Sequence, residues 1–539
     1  MQGWEVLGGT RYGRRVSGER DDTGGKWPAS LLVPETAVGW PARAMLFATW
    51  LILVAWLAIP HVPWKDEARA YALATVGGDW AAMLRAIHGE GHPALWYVIL
   101  RALHDLWPSP LVLPVAGLMV GISAAALFAF RAPFRLPILV AVLFSAFLLF
   151  HHNVVARNYG LAALIMFPLA AWWPRLRDSP WFGVALLLLC NSAVPTIFLA
   201  GGLFLYRALT VLAEQGMAWT RQMRMLVVNG SILLAGALLC FLTVYPPAND
   251  AVSALSTRPF GVQAAVAALA SPSRGFDFGY GWASGLLLAA LSLAMFARNR
   301  PALVAAAAAL VGFRLFFFFV YPASYRHSTQ FLVFLIALAW MSAADGRARG
   351  GGRASRSIAL AGEAVFGATL VLQLLFTASI LNLALAKVPQ SRARDLVAVM
   401  RREGLGDAVV TGQPDTALEP IAYQLDRDVW LTRQERFGRV SPLTRTARLH
   451  FGYAELLGQV ERLHRRTGRP VVIAILTPLD APPARRIADT GFEEDMLLDP
   501  GEYARFRAAT RRLAVTGPAI SDERYVVYAY PAAAGRGPP

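Results

Sequence analysis

Apolar segments separated by short polar loops recur along the first 386 residues of the chain. A helix needs about 20 predominantly apolar residues to cross the hydrocarbon core of a membrane, and most of these segments approach that length. The pattern therefore predicts an α-helical polytopic membrane protein with about eleven transmembrane helices. The predicted spans are residues 44–60, 111–130, 136–150, 159–173, 181–191, 194–212, 226–245, 281–297, 301–320, 329–343 and 358–386.

Composition points to the same class of protein. Of the 539 residues, 56% are hydrophobic and only 16% are charged, which exceeds the apolar content of an ordinary soluble domain. The formal net charge of +16 does not indicate nucleic-acid binding, because the basic residues cluster in short loops between apolar segments. Cys190 and Cys240 lie inside apolar segments, so neither a disulfide nor a cysteine metal site is predicted.

The placement of arginine predicts the orientation of the chain. Residues 1–43 contain several arginines and no apolar core, which predicts a disordered cytoplasmic leader. Short Arg-bearing loops recur after every second span, so they too are predicted to be cytoplasmic. An odd number of spans then places the C-terminus outside the cytoplasm. The loops with this bias are residues 131–135, 175–178, 220–224, 297–300 and 347–356.

The composition changes after the last apolar segment. Residues 44–387 form the predicted transmembrane domain, whereas residues 388–539 predict a small soluble α/β domain outside the cytoplasm. Charges of both signs appear there, and the runs DAVVTG, PVVIAIL and YVVYAY are typical of strands, while ARDLVAVMRREG is typical of a helix. The region carries no nucleotide-binding fingerprint.

Polar residues collect on the predicted outer face, at the ends of several spans. Carboxylate, His and Arg side chains gain no stability there unless they pair with one another or with a ligand. The first outer loop is large, and residues 66–88 and 93–107 predict helices that lie at the membrane interface. The four polar clusters are WKDEARAY (64–71), HGEGHPALWY (88–97), HHNVVARNYG (151–160) and YPASYRHSTQ (321–330).

The order of these clusters resembles a known family. The arrangement resembles the GT-C superfamily of polytopic glycosyltransferases. It consists of KDEA after the first span, HPALWY about 25 residues later, ARNYGL at the head of a later span, and an Arg-bearing loop before a late span. The resemblance is strongest to the bacterial branch related to protein O-mannosyltransferases and the lipid A aminoarabinose transferase. It implies an inverting enzyme of the bacterial inner membrane that transfers a sugar from a polyprenyl-phosphate donor to a glycan, lipid or protein acceptor.

The chemistry of this family assigns roles to the charged residues. An acceptor hydroxyl must lose a proton as it attacks the anomeric carbon, and Asp66 is the predicted base. Glu67 is its predicted partner, because adjacent helical residues point about 100° apart. Arg326 is the first candidate for binding the donor phosphate, since guanidinium matches phosphate oxygens with two parallel donors. Arg157, with Tyr159 beside it, is the second.

Other polar residues of the outer face complete the predicted site. His92 either orients Asp66 or helps hold a divalent cation, Mg²⁺ or Mn²⁺, which the resemblance alone implies. His327 is predicted to assist Arg326, and Tyr325 to contact the polyprenyl head group. Pairing of Arg326 with a carboxylate, or its extension to the membrane surface, is the alternative interpretation of the same residue.

The sequence departs from the family at one place and leaves two other functions open. Some relatives carry a second acidic residue in the outer loop at 151–158, where this chain has Asn153 and Asn158. A transporter or flippase would use the same charges along a translocation path, although such charges usually lie near the middle of the membrane. An assembly protein would use the C-terminal domain to bind partners and would have no cavity beside Asp66.

Overall fold

The computed structural model describes residues 30–34, 36–250, 260–270, 275–278, 282–346, 352–445, 450–480, 486–489 and 495–533. Helices dominate the chain up to residue 385. In order they are α1 (Trp40–Ala58), α2 (Lys65–Thr75), α3 (Trp80–Ala86), α4 (Leu95–Leu106), α5 (Val112–Arg131), α6 (Leu136–Leu143), α7 (Tyr159–Ala171), α8 (Trp173–Leu176), α9 (Pro180–Cys190), α10 (Thr196–Gln215), α11 (Arg221–Val244), α12 (Val262–Ala270), α13 (Trp282–Leu293), α14 (Arg300–Phe319), α15 (Tyr325–Ala344) and α16 (Arg353–Leu385).

Seven helices in the described part of the chain are long and apolar enough to cross a membrane: α1, α5, α10, α11, α14, α15 and α16. The other four predicted spans coincide with shorter helices. Residues 136–150 divide into α6 and a π-helical turn, Phe147–His151, and the remaining three coincide with α7, α9 and α13. Residue 281, where the last of these three was predicted to begin, lies outside the described residues. Seven of the predicted spans therefore have the length and the apolar composition that crossing a membrane requires, and the count of eleven stays a prediction.

Most of the predicted leader, residues 1–29, lies outside the described residues. Its end is ordered, which differs from the prediction of disorder up to residue 43. Leu32 is buried, and the backbone amide of Leu31 donates to the Glu363 carboxylate at 2.6 Å. Arg43 is also buried, with its guanidinium on the backbone carbonyls of α5. Hydrogen bonds at both positions hold the end of the leader in place, although its composition alone predicted disorder.

The loop between α1 and α5, which the sequence predicts to be the first outer loop, contains three short helices, and the prediction of one helix over residues 66–88 is wrong. Gly77 and Gly78 both have positive φ, +68° and +74°, and they separate α2 from α3. Glycine adopts this left-handed conformation without steric cost. Asp79 then accepts a hydrogen bond from the backbone amide of Ala82 at 2.7 Å and caps α3. The second predicted helix of the loop, over 93–107, coincides with α4.

The C-terminal region contains small sheets and helices, as its sequence predicts. Its elements are α17 (Ala393–Arg402), β1 (Val409–Gln413), α18 (Glu419–Leu425), β2 (Val429–Leu431), β3 (Arg436–Gly438), β4 (His450–Gly452), α19 (Tyr453–Thr467), β5 (Val471–Leu476), β6 (Arg486–Asp489), β7 (Asp495–Leu498), α20 (Pro500–Ala509), β8 (Arg511–Val515) and β9 (Tyr525–Tyr530). The three predicted strands, β1, β5 and β9, are neighbours in one sheet of order β1-β5-β9-β8. All six residues of β5 are buried, which explains its continuous apolar sequence.

This region packs on the first outer loop at one end of the helical bundle. The Tyr423 hydroxyl of α18 donates to the carbonyl of Pro110 at 2.6 Å, and Arg394 donates to the carbonyl of His61 at 3.0 Å. The other end of α15, about 30 Å away by helical rise, has a separate polar network around Asp345, which accepts from Arg177 and from the Tyr206 hydroxyl. The outer-loop clusters and the C-terminal region therefore lie together.

Candidate active site

The two adjacent carboxylates open α2, where negative charge is favoured by the helix dipole. They face different directions, as helical geometry requires. Glu67 points inward and is completely buried, whereas the side chain of Asp66 is 34% exposed. Of the two acids, Asp66 is therefore the one that a ligand can reach from the solvent.

Glu67 fastens α2 to two other segments. Its Oε1 accepts from the backbone amide of Ala156 at 2.7 Å, and its Oε2 from the amide of Trp64 at 3.3 Å. The Nε2 atom of His61 lies 3.0 Å from Oε2. A carboxylate satisfied in this way holds the loop before α7 against the start of α2, so Glu67 positions its neighbours.

Asp66 contacts both arginines that the sequence singled out. Its Oδ2 accepts from Nη2 of Arg326 at 3.2 Å, and its backbone carbonyl accepts from Nη1 of Arg157 at 2.7 Å. The pair joins residues 260 positions apart in the chain. The ion pair is partly solvated and therefore contributes little to the stability of the fold. We interpret the closeness of the two side chains as a sign of a functional role.

Arg326 lies in the first turn of α15, between two aromatic rings. Its guanidinium carbon is 4.7 Å from the centre of the Trp64 ring and 5.6 Å from that of Tyr159. These rings hold the guanidinium by cation–π attraction and restrict its motion. The Nε atom is buried and has no protein hydrogen-bond partner among the described residues. The side chain as a whole is 20% exposed, so the guanidinium keeps other donors that a bound anion can use.

His92 and Arg157 form a neighbouring pair. Nη2 of Arg157 lies 2.7 Å from Nε2 of His92. Burial, reinforced by the positive charge of Arg157, lowers the pKa of His92 well below its usual value. The imidazole is therefore neutral at pH 7 and accepts the hydrogen bond from the arginine. In this arrangement His92 orients Arg157 and does not contact Asp66 through a hydrogen bond.

Two residues of the predicted site have structural contacts instead. Nδ1 of His327 accepts from the backbone amide of Ser324 at 3.1 Å and closes the first turn of α15. The Tyr325 hydroxyl donates to Gln373 of α16 at 2.7 Å, so it binds a neighbouring helix and not Asp66. The structure brings together Asp66, His92, Arg157, Tyr159 and Arg326, places Glu67 and His327 behind them, and places Tyr325 outside the group.

Sequence reasoning missed a charged network next to the site. The guanidinium of Arg69 donates to both oxygens of Glu90, at 2.6 and 2.9 Å, and to Glu419 of α18 at 2.6 Å. Glu419 is fully buried, and burial raises its pKa to about 7 although Arg69 opposes the shift. Arg69 and Glu90 lie inside the polar clusters of the sequence, which could have suggested a role. Nothing in the sequence marks Glu419.

Glu523 makes a second buried contact between the C-terminal region and α2, and it predicts a pH dependence of stability. Its carboxyl accepts from the backbone amide of Lys65 at 2.7 Å, and burial raises its pKa to about 8 from an ordinary value of 4.5. The folded protein thus binds a proton that the unfolded chain has released. The contribution of Glu523 is complete below pH 4.5 and is lost as the pH rises through 8.

We expect thermal unfolding of the purified protein to begin at lower temperature at pH 9 than at pH 6, with a cost on the order of 3 kcal/mol from this one group. Glu523→Gln keeps a neutral side chain and should flatten the pH dependence. Glu461→Gln, on α19, is the control and should keep the wild-type slope. Equal slopes for wild type and Glu523→Gln would contradict the assignment.

Among the described residues, no three His, Cys, Asp or Glu side chains lie close enough together to hold a metal ion. We therefore assign no residue to the divalent cation that the family resemblance implies. Comparisons with protein-family models, with curated proteins and with solved structures give no match for this chain. Assignment of a function depends on the geometry of the site and on the resemblance of its motifs.

Proposed function

We propose that this chain is a polytopic glycosyltransferase of the GT-C type in a bacterial inner membrane. It transfers a sugar from a polyprenyl-phosphate donor to an acceptor hydroxyl on the outer face, where the acceptor is a glycan, a lipid or a protein. One observation carries the proposal. A partly exposed carboxylate, Asp66, lies 3.2 Å from a guanidinium, Arg326, that is held between two aromatic rings.

The two side chains supply the two charges that the reaction needs. The acceptor oxygen forms a bond to the anomeric carbon, the proton of its hydroxyl passes to Asp66, and the bond between that carbon and the phosphate oxygen breaks with inversion. The electron pair of the broken bond stays on the polyprenyl phosphate. Arg326 stabilises this developing charge with donors that Asp66 leaves unused.

Arg157 and His92 support this geometry from one side, and Glu67 from the other. Arg157 holds the backbone carbonyl of Asp66 at 2.7 Å, and the neutral imidazole of His92 fixes the second Nη atom of Arg157. Glu67 holds the start of α2, from which Asp66 projects. These three residues act through Asp66 and are positioning residues.

The proposal is tested by supplying the purified protein, in proteoliposomes, with a panel of polyprenyl-phosphate sugars and measuring release of polyprenyl phosphate. We expect turnover with at least one donor. The competing function, flipping of a lipid-linked substrate, is measured in the same vesicles by accessibility of a labelled donor to an added reagent. Flipping without release of polyprenyl phosphate from any donor would overturn the proposal in favour of a flippase.

Arg326→Lys separates a phosphate-binding role from simple extension to the membrane surface. Lysine keeps the charge and reaches the same depth, but it cannot present two parallel donors. We expect transfer at limiting donor concentration to fall by about tenfold or more, since one charge-assisted hydrogen bond contributes roughly 1.5–3 kcal/mol. Arg131→Lys, at the far end of α5, is the matched control and should keep the wild-type rate. Unchanged turnover by Arg326→Lys would remove the phosphate-binding assignment of Arg326.

Cysteine labelling tests the orientation on which this function depends. Cys190 and Cys240 are both buried, so a new surface cysteine gives the only expected signal. Arg462→Cys, exposed on α19, should react with a membrane-impermeant maleimide added outside intact cells. Arg131→Cys, exposed at the opposite end of the bundle, should react only after the cells are opened. The reverse pattern would place the proposed site in the cytoplasm.

A further inference from the structure

A cavity of about 540 Å³ lies where α1 and α16 end beneath the C-terminal region. Its lower wall is apolar and comes from the last turns of the two helices, including Trp56, Leu57 and Ile380. Its rim is cationic, with Lys387, Arg392 and Arg394 against one carboxylate, Asp395. None of its lining residues is Asp66, Arg157 or Arg326, so it is separate from the proposed active site.

Two of the charges on the rim are not balanced by an ion pair with any residue that the structure describes. Arg392 pairs with Asp395 at 2.8 Å, which neutralises both. Arg394 donates to the backbone carbonyl of His61, a contact that leaves its charge in place. Lys387 is exposed and makes no ion pair with any described residue. Two positive charges are therefore left above an apolar wall.

The backbone at Lys387 is unusual as well. Its φ is +54°, in the left-handed region, directly after the C-cap of α16. Glycine is the common residue at this position because it adopts the conformation without cost. A lysine there is strained and contributes nothing to capping that glycine would not provide better. The backbone conformation therefore does not explain why a lysine occupies this position. Its charged side chain lies at the end of α16, a helix long enough to span a membrane.

We infer that this cavity binds an anionic glycerophospholipid of the outer leaflet, with its phosphate between Lys387 and Arg394 and the upper part of one acyl chain along α1 and α16. The volume falls in the range of small-ligand sites, about 300–1,000 Å³. Amphipathic occupants suit a site with an apolar wall continuous with the bilayer and a cationic rim at its surface. The inference rests on the proposed membrane placement of α1 and α16 and is independent of sugar transfer.

The test uses the full-length protein in nanodiscs of equal parts phosphatidylglycerol and phosphatidylcholine. Lipids that stay bound after gentle detergent release are counted by native mass spectrometry. We expect wild type to retain phosphatidylglycerol in preference to phosphatidylcholine. Each cation near a lipid phosphate contributes about fivefold to binding, so Lys387→Gly with Arg394→Gln should reduce this preference by roughly 25-fold.

The variants are chosen so that a structural role gives a different result. Lys387→Gly relieves the left-handed backbone, so a purely structural residue would give a protein at least as stable as wild type, with unchanged lipid retention. Arg401→Gln removes the same charge from the exposed far end of α17 and should keep the wild-type preference. Equal retention of the two lipids by wild type, or an unchanged preference in the double variant, would overturn the inference. Displacement of the phospholipid by polyprenyl phosphate at equal concentration would instead make this a donor site.

Discussion

Asp66→Asn is expected to lower the rate of sugar transfer by about 10²–10⁴-fold, the usual contribution of a general base. Asparagine has nearly the same volume and can still accept a hydrogen bond from Arg326, so the site should keep its shape. What it cannot do is take the proton of the acceptor hydroxyl. The measurement is the single-turnover release of polyprenyl phosphate from a donor that the wild type uses.

Asp105→Asn is the matched control for this variant. Asp105 lies in the same outer loop and pairs with Arg101 within α4 at 2.8 Å, with a side chain that is 39% exposed. The Asp105→Asn variant makes the same chemical change at a residue other than the proposed base, and we expect its turnover to be near that of wild type. Thermal unfolding of both variants checks that each is folded. A fully active Asp66→Asn enzyme would remove the base assignment and leave Arg326 without its proposed partner in catalysis.

Arg69→Met should weaken the junction between the outer loop and the C-terminal region by about 3–5 kcal/mol. The methionine fills a similar volume but leaves Glu90 and Glu419 without their shared cation. Glu419 is 1% exposed and Glu90 is 19% exposed, so neither carboxylate is well solvated. Hydrogen exchange of α18 is the direct measurement, since loosening of the junction exposes its amides.

Arg439→Met is the control for the loss of an arginine. Arg439 pairs with Asp426 and Asp428 at the surface, where its side chain is 32% exposed, and the expected cost is at most about 1 kcal/mol. Adding Glu90→Gln and Glu419→Gln to Arg69→Met should restore most of the lost stability, because the penalty comes from unpaired buried charge. If the triple variant is as unstable as the single one, packing of the Arg69 side chain and not its charge holds the junction.

The sequence predicts those parts of the fold that depend on local pattern. Apolar length identifies the seven long helices, and short runs rich in β-branched, aromatic and other apolar residues identify β1, β5 and β9. The break in the outer-loop helix was also visible, because Gly77 and Gly78 are adjacent in the sequence. The single helix over residues 66–88 was predicted from its apolar face. Two glycines inside a short amphipathic helix destabilise it by about 2 kcal/mol, which favours the break that the structure shows.

The candidate site could be predicted only in part. Asp66, Arg157 and Arg326 were recognised because charge at the end of an apolar segment is unusual. Their contacts could not be derived, since they depend on packing between helices far apart in the chain. Glu67 shows the limit most clearly, because its burial against Ala156 changes it from a second acid of the site to a support for it. No local pattern distinguishes these two roles.

The bond between Arg69 and Glu419 has a consequence for biosynthesis. The two residues are 350 positions apart, so at 5–20 residues per second the ribosome needs roughly 20–70 seconds between them. During that interval Arg69 has, among the described residues, Glu90 but not Glu419 as a carboxylate partner, and the loop bearing Asp66 lacks its contact with α18. A polypeptide that terminates early would therefore insert its first helices and still fail to assemble the junction. In such fragments the outer loop would be accessible to quality-control proteases. In complete chains α18 of the C-terminal region covers this loop.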